Sequence, residues 1–476
     1  MAVSLETLAA AGYEVVGDQA TMLLGATHDS RNVEPGTLFC CVPGDQFDGH
    51  DFAEAAINGG AAALLVERTL HLGVPEILVD DVRGAMGTIA ATIYDNPCND
   101  LSVVGVTGTN GKTTVTQILA AILEHAGRPA ATIGTLSGAR TTPEAPELQA
   151  RLATLRDSGV TAVAMEVSSH ALELHRVDGC HFAVAVFTNL GRDHLDFHVT
   201  ETAYFAAKAK LFVADLADVA VINLDDPWGR ELAASTDLPT VGYSLSEVAD
   251  LKHNGTRTTF SWQGESVSLG LAGSHNVSNA LAALHAAVLL GLSASEAASG
   301  LASLQPPAGR FEFVPTDRAF NVVVDYAHTP DALAASIGAA REVAGSARVI
   351  VVFGCGGDRD RDKRSEMGRT VSERADVAIV TSDNPRSEDP VEIIDAVVAG
   401  FDADHTPAVE PDRRAAIKRA ISEAAAGDVV LIAGKGHETY QVIGSESLPF
   451  DDRIVATEAL QHLADAAAAG TGETNS

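Results

Sequence analysis

Lysine is scarce in this chain of 476 residues: only seven are present, against 64 aspartate and glutamate residues. With a net charge of −32, the chain has too few clustered cations to neutralise phosphates, so we expect no nucleic-acid partner. We expect the acidity to serve solubility. Four of the lysines, Lys112, Lys208, Lys363 and Lys435, lie within unusual polar motifs. A lysine kept where lysine is otherwise disfavoured is a candidate for a functional position.

Cysteines and long apolar runs are also few. The five cysteines are odd in number and show no metal-ligand spacing, so we expect reduced, mostly buried side chains. No apolar run approaches the roughly 20 residues of a membrane span, and no basic segment followed by an apolar one opens the sequence. We therefore expect a cytoplasmic protein with no membrane partner. Disorder is expected only in the tail after about residue 466, which is rich in small and polar residues.

What the chain has instead is a regular alternation of short apolar runs with helical patterns. Its length suits about three domains. Turn residues at 95–100 and two prolines at 306–307 mark the linkers between them. We predict an α/β protein with a small N-terminal α/β domain over 1–98, a central P-loop-type domain with a mostly parallel sheet over 99–308, and a Rossmann-like α/β domain over 309–476.

The apolar runs give the expected strands and the 3.6-residue patterns give the expected helices. Strands are predicted at 37–42, 61–66, 76–79, 103–106, 130–133, 160–166, 182–188, 219–223, 321–326, 347–353, 377–381 and 429–433. Helices are predicted at 52–60, 115–125, 204–212 and 281–290.

The glycine-rich turn after Val106 is the most informative stretch. It lies between an apolar run and a helical pattern, so backbone N–H groups, a helix N-terminus and Lys112 would surround a phosphate. The spacing from Gly108 to Gly111 is tighter than in the common phosphate loop, since Val106 stands where that pattern has glycine. An incidental glycine turn is the alternative. The flanking strand and helix favour nucleotide triphosphate binding, with Thr113 reaching Mg²⁺.

Two further strand ends in the central domain carry chemically active side chains. One is the segment 165–170 with Glu166, and the other is 188–198 with His194. Carboxylate oxygens and imidazole near a triphosphate are typical of Mg²⁺ sites. A single carboxylate or histidine is more often structural. Two strand ends that both carry such residues beside a phosphate loop favour metal ligation. Lys208, in a run of small residues, would ordinarily be a surface lysine.

In the third domain, polar and charged segments follow four successive strands. They occupy 325–331, 354–364, 382–386 and 434–438. Because the carboxyl ends of parallel strands meet at one edge of a sheet, these segments predict an open cleft for a charged small molecule.

Taken together, these motifs resemble those of the Mur ligases, ATP-dependent enzymes that add amino acids to the cell-wall precursor. The resemblance covers essentially the whole chain and is carried by 108–114, 165–170, 188–196, 204–208, 276–279 and 325–331. The shortened phosphate loop is the usual form in that family. The resemblance implies an ADP-forming ligase that phosphorylates a substrate carboxylate with ATP, after which an amine attacks the acyl phosphate. Closure of the domains around the substrates is a required step in this scheme.

The resemblance also implies roles for residues on both sides of the nucleotide. The implied ATP-binding residues are Gly108, Thr109, Asn110, Gly111, Lys112, Thr113, Thr114, Asn276, Asn279, Arg310 and Asp325. The implied Mg²⁺ ligands are Thr113, Glu166, His194 and Lys208, the last carbamylated by CO₂ to N6-carboxylysine. Lys112, Glu166, His194 and Lys208 would be the catalytic residues. Carbamylation would reverse the charge of Lys208, because a carbamate binds metal where an ammonium repels it.

Two further sets are implied for the other substrates. Ser30, Thr141, Thr142, Ser168 and Arg176 match positions that hold UDP-N-acetylmuramoyl-dipeptide. Asp383, Asn384, Pro385 and Arg386 resemble the motif of members that add meso-diaminopimelate, with Arg359, Gly434 and Glu438 completing the set. A monomer is expected. The alternatives are a relative with another acceptor, either an L-lysine-adding Mur ligase or a folylpolyglutamate synthase, and an ATP-driven binding protein without ligase chemistry.

Overall fold

The computed structural model describes residues 2–44, 46–302 and 304–471, with backbone alone for Asn254 and for residues 466–471. Three α/β units follow one another along the chain, each built on its own sheet. Within this described part, every helix is too short or too polar to cross a bilayer.

The first unit has a small five-stranded sheet, a separate two-stranded sheet formed by its first and third strands, and three helices. Its elements are β1 (Val3–Ser4), α1 (Leu5–Ala10), β2 (Glu14–Val16), β3 (Met22–Leu23), β4 (Gly25–Thr27), β5 (Thr37–Cys40), α2 (Ala53–Asn58), β6 (Ala61–Val66), β7 (Glu76–Leu78) and α3 (Val82–Ile93). The sheet order is β2-β7-β6-β5-β4, and only β2 runs antiparallel to its neighbour. The predicted strands at 37–42, 61–66 and 76–79 are confirmed within two residues.

The central unit is a six-stranded parallel sheet with helices on both faces. Its elements are β8 (Ser102–Thr107), α4 (Lys112–His125), β9 (Ala130–Ile133), α5 (Ala145–Asp157), β10 (Ala162–Glu166), α6 (Ser169–Glu173), β11 (Val184–Phe187), α7 (Leu195–His198), α8 (Glu201–Ala209), β12 (Ala220–Asn223), α9 (Pro227–Ser235), β13 (Thr240–Tyr243), β14 (Ala249–Asn254), β15 (Arg257–Trp262), β16 (Glu265–Leu269), α10 (Ser274–Leu289) and α11 (Ala294–Gly300). The strand order is β13-β12-β11-β8-β10-β9.

Side chains of β8 alternate between two hydrophobic cores, as a strand buried on both faces requires. Val104 and Val106 pack in the core that contains residues of α4 and α10. Val103 packs in the opposite core, with Leu148 and Leu152 of α5. The predicted parallel sheet covered on both faces is therefore confirmed.

One part of the central unit was not predicted. Strands β14, β15 and β16 form a separate antiparallel sheet, and their Phe260, Trp262 and Val267 enter the same core as α4 and α10. Helix α10 also begins seven residues earlier than predicted, at Ser274 instead of Leu281. Its first turns carry buried polar residues, including Asn276 and Asn279, which obscure the apolar pattern.

The third unit is a second doubly wound sheet. Its elements are β17 (Glu312–Val314), β18 (Asn321–Asp325), α12 (Pro330–Ala344), β19 (Val349–Phe353), α13 (Lys363–Arg374), β20 (Val377–Val380), α14 (Pro390–Val398), β21 (Ala408–Val409), α15 (Arg413–Glu423), β22 (Val429–Ala433), β23 (Tyr440–Ile443), β24 (Glu446–Pro449) and α16 (Asp452–Thr471). The order is β17-β18-β22-β19-β20-β21, with only β17 antiparallel.

The predicted disordered tail begins inside the last helix. Helix α16 continues past residue 466 to Thr471, so the backbone of 466–471 is helical instead of disordered. Alanine dominates this stretch, and its high helix propensity accounts for the difference. The rest of the predicted tail, 472–476, lies outside the described residues.

These sheets bring the polar segments of the sequence to their carboxyl edges. The segments after β8, β10 and β11 lie on neighbouring strands of the central sheet, and those after β18, β19, β20 and β22 follow neighbouring strands of the third. Ligands in open α/β sheets bind at such edges, so the fold places the candidate residues where chemistry is expected.

Candidate active site

The phosphate loop connects β8 to α4, and its backbone conformation is suited to binding an anion. Gly108 and Gly111 have φ of +145° and +89°, which L side chains rarely adopt. The N–H groups of the first turn of α4 have no intrahelical acceptor, and the helix end carries partial positive charge. Lys112 folds back over the loop, and its Nζ donates to the carbonyl oxygens of Gly108 at 2.7 Å and Thr109 at 2.9 Å. The loop presents concentrated donors to a phosphate.

Two neighbouring residues hold this loop in shape. The amide N–H groups of Thr109 and Asn110 donate to the backbone and side-chain oxygens of Asn189, each at 2.9 Å. The hydroxyl of Thr188 donates to the Asn110 carbonyl at 2.6 Å. The polar segment after β11 therefore braces the cradle from the adjacent strand.

An alanine at position 111 is expected to weaken ADP binding by at least about 10-fold. A Cβ there would lie 2.3 Å from the Asn279 side-chain oxygen, at a φ that disfavours alanine. Asn279 is buried and donates to Asn276 Oδ1 at 3.2 Å, so turning away would break that bond. Calorimetric titration of Gly111→Ala with ADP measures the loss.

Gly127→Ala is the matched control for that variant, since Gly127 ends the same helix at φ +74° with nothing within 4 Å of its Cβ position. It carries the same backbone strain without the contact. We expect a loss of stability near 1 kcal/mol and unchanged ADP affinity. Equal ADP affinity for wild type and Gly111→Ala would contradict the assignment of the loop.

Glu166, at the end of β10, lies directly beside the phosphate loop. Its carboxylate is buried, and Oε1 accepts from the Thr113 hydroxyl at 3.0 Å and the Thr135 N–H at 2.9 Å. A hydroxyl and a carboxylate in contact at a phosphate site are hard oxygen ligands suited to Mg²⁺. The donor set of Thr113 and Glu166 therefore fits the metal.

His194 lies at the start of α7 with a left-handed backbone, φ 55°. Its ring packs edge-on against His170, with centroids 4.8 Å apart, and its Nε2 is 3.5 Å from the Asp193 carboxylate. Burial lowers the pKa of His194 to about 3, despite the opposing effect of Asp193. The imidazole is consequently neutral, the form that binds metal.

No group of three histidine, cysteine, aspartate or glutamate side chains in the described part of the chain could hold a metal ion. The predicted metal set contains only two residues of these types, Glu166 and His194. Its other members are a hydroxyl, Thr113, and a lysine that needs modification, Lys208. The metal assignment of this set stays a prediction.

Lys208 is buried beneath the phosphate loop instead of lying on the surface. Only 1 % of the residue is exposed, and Nζ donates to the Gly108 carbonyl at 3.0 Å, the same oxygen that accepts from Lys112. Nζ also lies 4.3 Å from the centre of the Tyr204 ring. Burial, followed by the nearby charge of Lys112, lowers the pKa of Lys208 well below its usual value.

A cleft of about 560 Å³ separates the central and third units. It is lined by the phosphate loop and by residues of the predicted nucleotide set from both sides: Asn276, Asn279, Arg310 and Asp325. Arg310 donates to the Thr113 hydroxyl at 3.0 Å and lies over the Tyr326 ring. Its buried Nε has no hydrogen-bond partner among the described residues, so it is a donor suited to an anionic ligand.

The carboxylate of Asp325, which also lines the cleft, is held by three hydrogen bonds from its own unit. It accepts from the Phe311 N–H at 2.7 Å, the Ala327 N–H at 3.0 Å and the Ser336 hydroxyl at 2.7 Å. These bonds fix the chain before and after β18, so Asp325 shapes the cleft wall through the backbone.

The central and third units also meet through Arg192, whose role the sequence did not reveal. Its guanidinium lies 2.5 Å from Glu366 and 3.5 Å from both Asp360 and Asp362. This contact connects the loop of His194 to the start of α13 across the cleft. Periodicity within one domain carries no signal for a partner in another.

The set predicted for the UDP-sugar gathers beside Glu166, with one exception. Thr142 donates to the Glu166 carbonyl at 2.9 Å and accepts from the Ser168 N–H at 3.1 Å. Arg176 donates to the Thr142 carbonyl at 3.3 Å. Thr141 is within 3.0 Å of the Thr135 hydroxyl. Ser30 instead begins a short helical turn in the first unit, and no hydrogen bond among the described residues joins it to the other four.

An unpredicted cluster of arginines adjoins this set. The buried Glu144 carboxylate lies 2.7 Å from Arg176, 3.6 Å from Arg83 of the first unit and 3.9 Å from Arg140. Three guanidinium groups around one carboxylate leave an excess of positive charge in a strongly acidic chain. Arg176 Nε and Glu144 Oε2 have no hydrogen-bond partner in the described part. The excess charge and free donor suit an anionic substrate.

The set predicted for the amino acid lies at the edge of the third sheet, away from the lining of the cleft. Asn384 Nδ2 donates to Glu438 Oε2 at 2.8 Å, and a Cβ on Gly434 would lie 2.6 Å from Asp383. Arg386 donates to the Gly357 carbonyl at 2.6 Å. Pro385 is buried, whereas Arg359 is exposed and donates a hydrogen bond to the Asp358 carbonyl of its own loop at 3.3 Å.

Comparisons with known proteins give one consistent result. The family models that match are the Mur ligase family, catalytic domain over 25–94, the Mur ligase middle domain over 106–287, and the Mur ligase, glutamate ligase domain over 309–436. A curated relative from Geobacillus kaustophilus, UDP-N-acetylmuramoyl-L-alanyl-D-glutamate--2,6-diaminopimelate ligase, is 46% identical over 91% of this chain and 94% of its own.

Solved structures are similar over nearly the full length. A structure of UDP-N-acetylmuramoyl-L-alanyl-D-glutamate--2,6-diaminopimelate ligase has a TM-score of 0.68 at 35% identity, covering 98% of this chain and 100% of that one. The MurF ligase from Thermotoga maritima in complex with ADP has a TM-score of 0.64 at 21% identity, covering 92% and 96%. The latter supports the fold alone.

Proposed function

The chain belongs to the Mur ligase family, and from that premise we propose that it joins meso-diaminopimelate to the D-glutamate γ-carboxylate of UDP-N-acetylmuramoyl-L-alanyl-D-glutamate, using ATP. The product would be a peptidoglycan precursor, so the enzyme would serve cell-wall synthesis and thereby cell shape and division. The observation that carries this proposal is the phosphate loop with the Thr113 and Glu166 oxygens beside it, facing the third unit across one cleft.

The chemistry requires activation, because a carboxylate is a poor acyl donor. Transfer of the γ-phosphoryl group of ATP to the substrate carboxylate gives an acyl phosphate, which the incoming amine attacks with release of phosphate. Lys112 and the N–H groups of α4 would hold the phosphates and stabilise developing negative charge. Thr113 and Glu166 would hold Mg²⁺, which supplies further charge neutralisation. No nucleophilic side chain is needed.

We propose that Lys208 is carbamylated by CO₂. The proposal rests on the family resemblance and on the position of the amine, buried under the phosphate loop with a backbone carbonyl as acceptor. As a carbamate it would place negatively charged oxygen atoms beneath the loop, beside the positive charge of Lys112. His194 would complete the metal ligands on the same side.

The anionic UDP-sugar peptide is proposed to bind between the first and central units. Thr141, Thr142, Ser168 and Arg176 lie together there, and the guanidinium groups around Glu144 supply the positive charge that a diphosphate or a carboxylate needs. Ser30 would contact the substrate from the first unit.

The far end of meso-diaminopimelate is a zwitterion, and the third unit offers groups of opposite charge for both of its charges. Arg386 and Arg359 would pair with its carboxylate, and Glu438 with its ammonium. Asp383, Asn384, Pro385 and Gly434 would shape the site around them. L-Lysine lacks the far carboxylate and would leave Arg386 without its partner.

Each substrate would thus be held chiefly by a different unit, with proposed domain bounds of 1–98, 99–308 and 309–476. Closure would bring them together, and the Arg192 contact with α13 is a natural clamp for the closed form. We propose a monomer acting in the cytoplasm, where ATP is available.

A purified-enzyme assay tests the function. With ATP, Mg²⁺ and UDP-N-acetylmuramoyl-L-alanyl-D-glutamate, ADP release should depend on meso-diaminopimelate and be much slower with L-lysine. Mass spectrometry should find the amide product. Faster ADP release with L-lysine would overturn the choice of acceptor. ADP release independent of any amine would favour a binding or regulatory protein instead.

A further inference from the structure

Lys435 is a fully buried cation in the middle of the proposed amino-acid site. It follows Gly434 at the end of β22, and its side chain is 0% exposed. Nζ donates to Asn384 Oδ1 and Glu438 Oε2, both at 3.0 Å, and lies 4.0 Å from the Asp383 carboxylate. A lysine loses its hydration here only because oxygen atoms from two loops replace the water.

These bonds fix the side-chain amide of Asn384. Its Oδ1 accepts from Lys435 and also from the Val442 N–H at 2.9 Å, so the oxygen end is turned inward. The nitrogen end therefore donates to Glu438 Oε2 at 2.8 Å. If the amide were flipped, its NH₂ group would face the Lys435 ammonium and the Val442 N–H. Both of these are donors, so neither hydrogen bond could form.

Consequently only one of the two carboxylate oxygens of Glu438 is engaged by neighbouring residues. Oε2 accepts from both Lys435 and Asn384, whereas Oε1 accepts no hydrogen bond from the described residues. Its side chain is 17% exposed, so Oε1 remains accessible to a ligand. Lys435 carries one positive charge and lies against the carboxylates of Asp383 and Glu438, so this group of three carries one net negative charge, which favours an ammonium group.

The backbone beneath these loops is tied together separately. The guanidinium of Arg413 donates to the Ala433 carbonyl at 2.9 Å and the Ser382 carbonyl at 3.4 Å, at the ends of β22 and β20. Arg413 is paired with Asp452 at 2.7 Å, and both side chains are 0% exposed. This buried pair holds the two strand ends whether or not a lysine occupies position 435.

We propose that Lys435 is a positioning residue for acceptor recognition: it orients Asn384 and Glu438 so that one carboxylate oxygen faces the ammonium at the far end of the amino acid. The proposal rests on the proposed ligase function. It assigns to Lys435 no contact with ATP or with the UDP-sugar peptide. Its loss should therefore affect one substrate of the three.

Lys435→Met tests this, because methionine keeps the length of the side chain and removes the donors and the charge. We expect the KM for meso-diaminopimelate to rise roughly 10- to 100-fold, with kcat and the KM values for ATP and the UDP-sugar peptide within about twofold of wild type. Lys435→Gln, which retains an N–H donor, should show a smaller rise. Lys418→Met on the exposed face of α15 is the control and should behave as wild type.

The outcomes separate this proposal from the function on which it rests. If wild type forms no amide with meso-diaminopimelate, the proposed function fails. If wild type is active and Lys435→Met has an unchanged KM for meso-diaminopimelate, the positioning role is overturned. The same holds if the KM values for all three substrates rise equally. Failure of both Lys435 variants to fold, judged by thermal melting, would make the residue structural and overturn it as well.

Discussion

Replacing Lys208 with alanine is expected to lower kcat for amide formation by roughly 1000-fold while ADP binding persists. The proposed carbamate would be lost, and with it a negative oxygen ligand for Mg²⁺ at the reacting phosphate. The loop should keep its shape, because the Gly108 carbonyl still accepts from Lys112 at 2.7 Å. Steady-state turnover at saturating substrates, with ADP affinity from calorimetry, measures both parts.

Two further variants show whether the loss of activity comes from the carbamate. Lys210→Ala is the matched control, since Lys210 lies two residues further on and is half exposed in a pair with Glu173; it should turn over as wild type does. Lys208→Arg keeps a cation that CO₂ does not convert to a stable carbamate, and should be as slow as the alanine variant. Small carboxylic acids should partly restore Lys208→Ala by supplying an anion. Full activity of either Lys208 variant would rule out the carbamate.

An alanine at Arg386 is expected to lower kcat/KM for meso-diaminopimelate by roughly 100-fold, corresponding to about 3 kcal/mol. Truncation would remove the anchored one of the two proposed charge partners of the far carboxylate and leave only the exposed Arg359. Nη1 of Arg386 is anchored on the Gly357 carbonyl at 2.6 Å, so the guanidinium is already oriented before the ligand arrives. Competition between meso-diaminopimelate and L-lysine, followed by mass spectrometry, should show the preference shrinking.

Arg361→Ala provides the control for that experiment. Arg361 belongs to the neighbouring loop, is 73% exposed and pairs with Glu388 at 3.1 Å. The Arg361→Ala change removes one positive charge from the same surface without altering the proposed site. The variant should prefer meso-diaminopimelate over L-lysine to the same degree as wild type. An Arg386→Ala enzyme that still prefers meso-diaminopimelate to the same degree would show that selectivity lies elsewhere.

The sequence predicted the parallel sheets well because their strands are continuous apolar runs. The run 429–433 became β22 with the predicted bounds, and 130–133 became β9. The polar segments at strand ends could also be placed, since parallel strands bring their carboxyl ends to one edge. For this reason the sequence alone predicts Glu166 near the phosphate loop, where it accepts a hydrogen bond from Thr113.

The features that could not be predicted, an antiparallel sheet and ion pairs between units, leave weak or no local patterns in the sequence. The antiparallel sheet of β14, β15 and β16 mixes polar and apolar residues along each strand, since its outer face is partly exposed, and so it lacks the continuous apolar runs of the parallel strands. The contacts of Arg83 with Glu144 and of Arg192 with Glu366 join different units. Such pairs leave no local pattern, because they depend on which faces of separately folded units meet.

The central claim is that this site activates the substrate acid by phosphorylation before the amine attacks. A heavy-oxygen label in both oxygens of the D-glutamate γ-carboxylate tests it directly. If the acid is phosphorylated, one labelled oxygen must leave with the inorganic phosphate when the amide forms, and mass spectrometry of that phosphate should find it there. Amide formation that leaves the released phosphate unlabelled would contradict the account.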